Sequence, residues 1–356
     1  MRVGLVLGAG GVQGGAWLTG GLAALAEGTG WDPACADYIV GTSAGSMLGS
    51  LIAAGLPPWF MVAHSAGESF EGMTDARGRF AADADRSGGA SYRIDRGALP
   101  IFPGSLPLIA RSLLRPRRHT PAGVLSGWAP RGVVSSEPLR EIIRSSVHGS
   151  WTAHPNHWVI ACDYSTGKRV SFGRKGAPPA KLEDAVAASC SIPGFYRPVR
   201  IGGRLYVDGG IWSTSNLDVL RGQGLDLVIC LNPTSSLHPI RALDPVSAFG
   251  LIFNRASGRR LGSEAKRLRA EGTEVVLIQP TGRDLEAMGV NLMSRGNRNE
   301  VIAVARETVA EQLSEPAIGG RLADLPQGDP DMVRRPERPS WEWPGIEELG
   351  ARVAAG

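Results

Sequence analysis

Short apolar runs and helical spacings alternate along the first part of the chain. Arg2 to Leu7 (RVGLVL) and Ala36 to Val40 (ADYIV) are rich in branched residues and suit strands buried in a parallel sheet. Between them Trp17, Leu18, Gly21, Leu22 and Leu25 return at helical intervals, so the spacing predicts a helix ending near Gly28 as its C-cap. Ser43 to Ala54 predicts a second helix, stopped by Gly55 and the Pro57-Pro58 pair, and Trp59 to Phe70 a third. From about 72 to 130 the periodicity fades among Gly, Pro and Arg. There Leu106 to Leu114 is an apolar stretch bracketed by Pro103, Pro107 and Pro116, and the segment reads as an insertion or lid.

Regular patterning then resumes. Glu137 to Val147 predicts a helix, and His157 to Cys162 and Arg169 to Phe172 predict strands joined by the Ser165-Thr166-Gly167 turn. Leu182 to Ser189 is a short helix, Arg204 to Val207, Asp226 to Leu231 and Glu274 to Ile278 are strands, and Asn299 to Leu313 is a helix. Strands alternating with helices predict a three-layer α/β/α sandwich with a largely parallel central sheet. The expected organisation is a domain over residues 1–315 carrying an insertion at about 72–131. A Pro-rich tail, 316–356, would follow, lying on the surface from Leu325 onward with Trp341 and Trp343.

Hydrophobic residues make up 43% of the 356, and charged ones 20%, which supports an ordinary buried core and argues against bulk disorder. No apolar run approaches the ~20 residues that span a bilayer. Met1 passes directly into a strand pattern with no signal-peptide segments, so the expected location is cytoplasmic. Cys35, Cys162, Cys190 and Cys230 are widely spaced and form no C-x-x-C pair, which predicts reduced core thiols and no metal site. A net charge of +4 gives no support to a nucleic-acid partner. Its distribution says more, because between Arg77 and Arg131 ten arginines face only Asp83, Asp85 and Asp95.

Three short motifs carry candidate chemistry. Gly41-Thr42-Ser43-Ala44-Gly45 follows a strand and opens a helix, the context of a nucleophile elbow; the bland alternative is a tight turn with a serine cap. The loop Gly8 to Gly15 also joins strand to helix and presents unshielded backbone N–H groups. A dinucleotide fingerprint G-x-G-x-x-G fails there, because the sixth position from Gly8 is Gln13. An oxyanion hole needs only N–H donors, and the neighbouring elbow favours it. Asp208 ends a strand and is followed by Gly209 and Gly210, which places a carboxylate on a tight turn. Among the histidines His64, His119, His148, His154, His157 and His238, only His238 follows a well-placed acid.

Together, Gly8-Ala9-Gly10-Gly11-Val12-Gln13-Gly14, Gly41-Thr42-Ser43-Ala44-Gly45-Ser46 and Asp208-Gly209-Gly210 resemble the oxyanion, nucleophile and dyad motifs of patatin-like phospholipases. The run from Ala188 to Phe195, leading to Tyr206 and Val207, is similar to the stretch before that family's aspartate. The resemblance implies a serine lipid acyl hydrolase that needs no cofactor. Ser43 would be the nucleophile and Asp208 the general base, and backbone N–H groups of Ala9, Gly10 and Gly11 would hold the oxyanion. A working carboxylate base would have to be desolvated, with a raised pKa. Two positions depart from the family pattern: Gln13 stands where Arg or Lys is usual, and Ala9 replaces a glycine.

Other readings remain open at this level. A Ser43-Asp208-His238 triad would make an α/β-hydrolase, and the Gly-rich loop would also suit a non-catalytic lipid- or nucleotide-binding protein. The segment 77–131 fits either a solvated lid or a peripheral contact with an anionic membrane. In the second case Leu106, Leu108, Ile109, Leu113 and Leu114 enter lipid while Arg111, Arg115, Arg117 and Arg118 meet phosphates.

Overall fold

Alternate residues of one short strand set the layers. In the computed structural model, which describes residues 1–68, 92–95, 99–236 and 245–337, β1 (Val3–Leu7) is buried throughout. Val3, Leu5 and Leu7 face one helical layer and Val6 the other, as the period of two dictates. Then come α1 (Gly11–Thr29), β2 (Tyr38–Thr42), α2 (Ala44–Ala53) and α3 (Pro58–Ser65). The Arg-rich segment contributes β3 (Arg93–Ile94), α4 (Leu106–Leu114), α5 (Pro121–Trp128) and β4 (Val134–Ser135). The core resumes with α6 (Glu137–Ser146), β5 (His157–Asp163), β6 (Arg169–Phe172), α7 (Leu182–Ser189), β7 (Val199–Ile201), β8 (Arg204–Asp208) and β9 (Leu227–Leu231). It closes with α8 (Pro245–Arg269), β10 (Glu274–Ile278), α9 (Gly282–Met288), α10 (Arg298–Ser314), α11 (Pro316–Leu322) and α12 (Pro330–Val333).

The main sheet has the order β10-β9-β1-β2-β5-β8-β7, with β6 also paired to β5. Its first five strands run parallel, and β8, β7 and β6 join antiparallel. One face packs on Trp17, Leu18, Leu22 and Leu25 of α1, with Ile302, Ala305 and Val309 of α10 behind them. The other face packs on Leu261, Ala265 and Leu268 of α8. This is the three-layer α/β sandwich expected from the alternation. Among the described residues no helix is long and apolar enough to cross a membrane.

Four expectations change. Helix α1 runs past Gly28 and is capped by Gly30, which takes the left-handed conformation and donates its N–H to Ala26 O over 2.8 Å. The insertion is less irregular than its prolines suggest. Pro107 and Pro121 sit in the first turns of α4 and α5, where a missing N–H costs no helical bond, and Ser105 and Thr120 cap them. The tail does not begin at 316. Leu322, Leu325, Met332 and Val333 are buried, and Trp59 Nε1 donates to Asp331 O over 2.8 Å, so the chain to about 335 is part of the core. Trp341, Trp343 and His238, like residues 69–91, lie outside the described residues. Helix α8 was not expected, although Leu261, Ala265 and Leu268 stand at helical spacing within it.

Candidate active site

The site is assembled on one edge of β5. Val159 and Ile160 pair with both β2 and β6, and Ala161 and Cys162 pair with both β6 and β8. A strand has only two edges, so β2 and β8 share the one opposite β6, end to end. Because β2 runs parallel to β5 and β8 antiparallel, their C-terminal ends meet: Thr42 lies opposite Ile160 and Asp208 opposite Ala161. The antiparallel insertion of β8 thus brings Asp208 to the residue that follows β2, which is Ser43.

Ser43 is buried and holds φ 53° and ψ −122°. A side chain is strained in that region by roughly 1–3 kcal/mol and persists only where its surroundings hold it. Here its N–H donates to Ser189 Oγ at 2.8 Å, Ser189 Oγ donates to Ile160 O at 2.6 Å, and Ser46 Oγ donates to Ser43 O at 2.7 Å. The flanking glycines are steric necessities. A Cβ on Gly41 would stand 2.4 Å from Gly45 O, and one on Gly45 only 2.1 Å from Leu7 O, at the end of β1. Gly45→Ala is therefore expected to destabilise the fold by more than about 3 kcal/mol, since backbone must move on both sides. Urea unfolding checks this, and a midpoint equal to wild type would refute it.

The Ser43 side chain lies beside the Asp208 carboxyl and the buried Cys190 thiol and lowers the pKa of each. Asp208 is itself buried, with Oδ1 accepting the Gly210 N–H at 2.7 Å. Burial pushes its pKa up to about 6, against the downward pull of the Gly210 N–H and the neighbouring Ser43 hydroxyl. The direction is the one a carboxylate base requires. Burial also pushes Cys190 up to about 12, which keeps it a thiol.

The Gly-rich loop closes the third side. A Cβ on Gly210 would lie 3.5 Å from that of Ala9, and one on Gly15 would lie 3.7 Å from that of Ala44, so loop, elbow and Asp208 turn adjoin. Gly8 and Ala9 spend their N–H groups on Leu231 O (2.9 Å) and Thr214 O (2.8 Å). This corrects the expectation for Ala9, whose N–H is already committed to the fold. The N–H groups of Gly10 and Gly11, and of Ala44 at the start of α2, meet no acceptor among the described residues. Gln13 is fully buried: its N–H donates to Leu292 O at 3.0 Å, and its Nε2 donates to Ser294 O (3.0 Å) and Asn297 Oδ1 (2.5 Å). It anchors the loop to the segment before α10 and meets no solvent-borne group.

Two supporting residues carried no assigned role at the level of sequence. Ser189 lay within the stretch that resembles the family and fixes the Ser43 amide. Asn216, buried at φ 51°, donates from Nδ2 to Thr42 Oγ1 at 3.1 Å and Ser213 O at 2.5 Å, tying the end of β2 to the chain beyond Asp208. No repeat or motif marked it. Among the described residues no histidine bonds Ser43 or Asp208. His157 contacts Thr152 and Ser50, and burial holds its pKa down to about 3, while His154 contacts Ala36 O.

Over 88 residues the chain is 34% identical to uncharacterized NTE family proteins of Mycobacterium bovis and Mycobacterium tuberculosis, covering 24% of this chain and 23% of each relative. The matched stretch is thus under a quarter of those relatives' length. The crystal structure of VipD from Legionella pneumophila superposes with a TM-score of 0.43 at 15% identity, covering 88% of this chain and 66% of that one. The model of the patatin-like phospholipase family matches residues 5–221, a span that contains Ser43, Asp208 and the Gly-rich loop. The chain belongs to the patatin-like phospholipase family.

Proposed function

We propose that the protein hydrolyses carboxylic esters of lipids, phospholipids or lysophospholipids first, through a Ser43-Asp208 dyad. The observation that carries this reading is the meeting of the strained Ser43 with the buried Asp208 where the ends of β2 and β8 come together on β5. Family membership supports the lipid substrate class.

In this reading Ser43 Oγ bonds to the ester carbonyl carbon as its proton passes to Asp208. The negative charge moves to the carbonyl oxygen, which the N–H groups of Gly10 and Gly11 receive, with Ala44 as a further donor at the positive end of α2. The C–O bond then breaks, and the proton returns from Asp208 to the leaving alcohol. Asp208 next takes a proton from water as it attacks the acyl-enzyme, the fatty acid leaves, and Ser43 recovers its proton. No histidine takes part. Fatty-acid release from a panel of phospholipid, lysophospholipid, triacylglycerol and a soluble short-chain ester tests the reading. Release from none of them by the wild-type protein would exclude it.

The base must be ionised before attack. With its pKa pushed up to about 6, kcat/KM is expected to fall as pH drops through that value and to level off above it. A pH profile on the soluble ester checks this; a plateau extending unchanged down to about pH 4 would contradict it.

A further inference from the structure

Helix α4 is apolar on both sides. Leu108 (0% exposed) and Ile109 turn inward, Leu108 packing with Cys162, Tyr164 and Val207, whereas Leu106, Leu113 (72%) and Leu114 (81%) turn outward. A helix apolar all round is normally enclosed, yet nothing among the described residues covers this face. Helix α5 packs beside it: a Cβ on Gly127 would lie 3.1 Å from Ile109, and Ser126 O accepts the Tyr164 hydroxyl at 2.8 Å. With its inner side fixed in this way, α5 leaves Leu125 and Trp128 exposed, and Phe102 just before α4 is exposed as well. These residues are held firmly. Ser105 Oγ donates to Tyr164 O at 2.6 Å, and Thr120 Oγ1 donates to Ile211 O, three residues beyond Asp208.

Charge on this segment has a single sign. Residues 96–136 contain six arginines and no Asp or Glu. Arg111 reaches Ser165 O. Arg115 and Arg118 are exposed and form no ion pair among the described residues. A solvated lid would turn polar residues outward, and a nucleic-acid surface would not expose a row of leucines. Leucines and a tryptophan among unpaired guanidinium groups match an anionic lipid interface, which offers acyl chains beneath a layer of phosphates.

We infer that the outer face of α4 and α5 docks on an anionic bilayer, with Leu106, Leu113 and Leu114 in the acyl boundary and Arg115 and Arg118 on headgroup phosphates. Leu108 and Ile109, expected from sequence to enter lipid, instead pin the platform to the protein. The contact sets the turn after Asp208 beside the membrane. What the contact is for rests on the lipid-ester reading above, whereas its formation does not.

The test is flotation of the Ser43→Ala protein, which leaves the vesicles intact, with phosphatidylcholine vesicles and with vesicles half phosphatidylglycerol. Binding is expected to the anionic vesicles, to be weak on phosphatidylcholine alone, and to be lost in about 0.5 M salt. In the same background, Leu113→Glu with Leu114→Glu should weaken binding more than about tenfold. Arg115→Glu with Arg118→Glu should do the same, at roughly fivefold or more per arginine. In the otherwise wild-type protein both pairs should retain turnover of the soluble ester, which shows that the fold is intact. Equal binding by the variants, or no binding by the parent, overturns the inference. So does a leucine pair that converts a dimer to a monomer on size exclusion without any change in lipid binding, for the face would then belong to a second copy. Docking without ester turnover would leave this inference standing and remove the catalytic one; turnover without docking would do the reverse.

Discussion

Asp208→Asn is expected to lose ester turnover by roughly 10⁴-fold while the protein becomes more stable near neutral pH. The loss follows because an amide takes no proton from Ser43, although it still accepts the Gly210 N–H and holds the turn. The gain in stability comes from the same burial that tunes the base. A carboxyl whose pKa is about 6 when folded and 3.8 when exposed binds more protons in the folded state. Its contribution is therefore most favourable below the unfolded value and is lost as pH rises through the folded one. Above about pH 7 that loss amounts to about 3 kcal/mol, which the neutral amide does not suffer. Thermal unfolding of wild type and variant at pH 8 and pH 4 reads the difference: the variant should melt several degrees higher at about pH 8, and the gap should shrink at about pH 4. A variant that is active, or one less stable at both values, would count against a desolvated base.

Ser43→Ala is expected to reduce turnover by roughly 10⁵- to 10⁶-fold, since the nucleophile is removed while the donors remain. Its stability should change little, because alanine inherits the same backbone strain. Ser43→Gly separates the two effects. Glycine meets no penalty at φ 53°, so this variant should be as inactive as alanine but more stable by about 1 kcal/mol. Initial rates on lysophospholipid together with urea midpoints check both. Residual activity above about a hundredth of wild type in either variant would mean that another group attacks the ester.

The legible parts of this protein were those in which local pattern and tertiary role coincide. The runs at Val3–Leu7, His157–Asp163 and Leu227–Leu231 are continuous because both faces of these strands are covered. Gly41 and Gly45 were legible for a similar reason, since a Cβ at either would stand only 2.4 or 2.1 Å from backbone oxygen and leave room for no other residue. The meeting of Ser43 with Asp208 was not legible as geometry. It depends on β8 running antiparallel along the edge that β2 vacates, a register that no local spacing encodes. Ala9 shows the same limit from the other side. Its place in a Gly-rich loop implied a free donor, but the partner that takes its N–H is the carbonyl of Thr214, far away in sequence. Helix α8 was hidden because its arginines and glycines break the apolar stripe; among its described side chains Leu261, Ala265 and Leu268 pack into the core. In α4 the prolines masked a helix whose first turn accommodates them.

In the proposed mechanism Ser43 is activated by Asp208 alone. Labelling with a fluorophosphonate, followed by peptide mass mapping, tests it most directly, because the reagent reports an activated serine whatever the natural ester. One adduct is expected, on Ser43, absent from Ser43→Ala, slowed at least about a thousandfold in Asp208→Asn and unchanged in His238→Ala. An adduct on another serine, or labelling that survives Asp208→Asn but fails in His238→Ala, would contradict it.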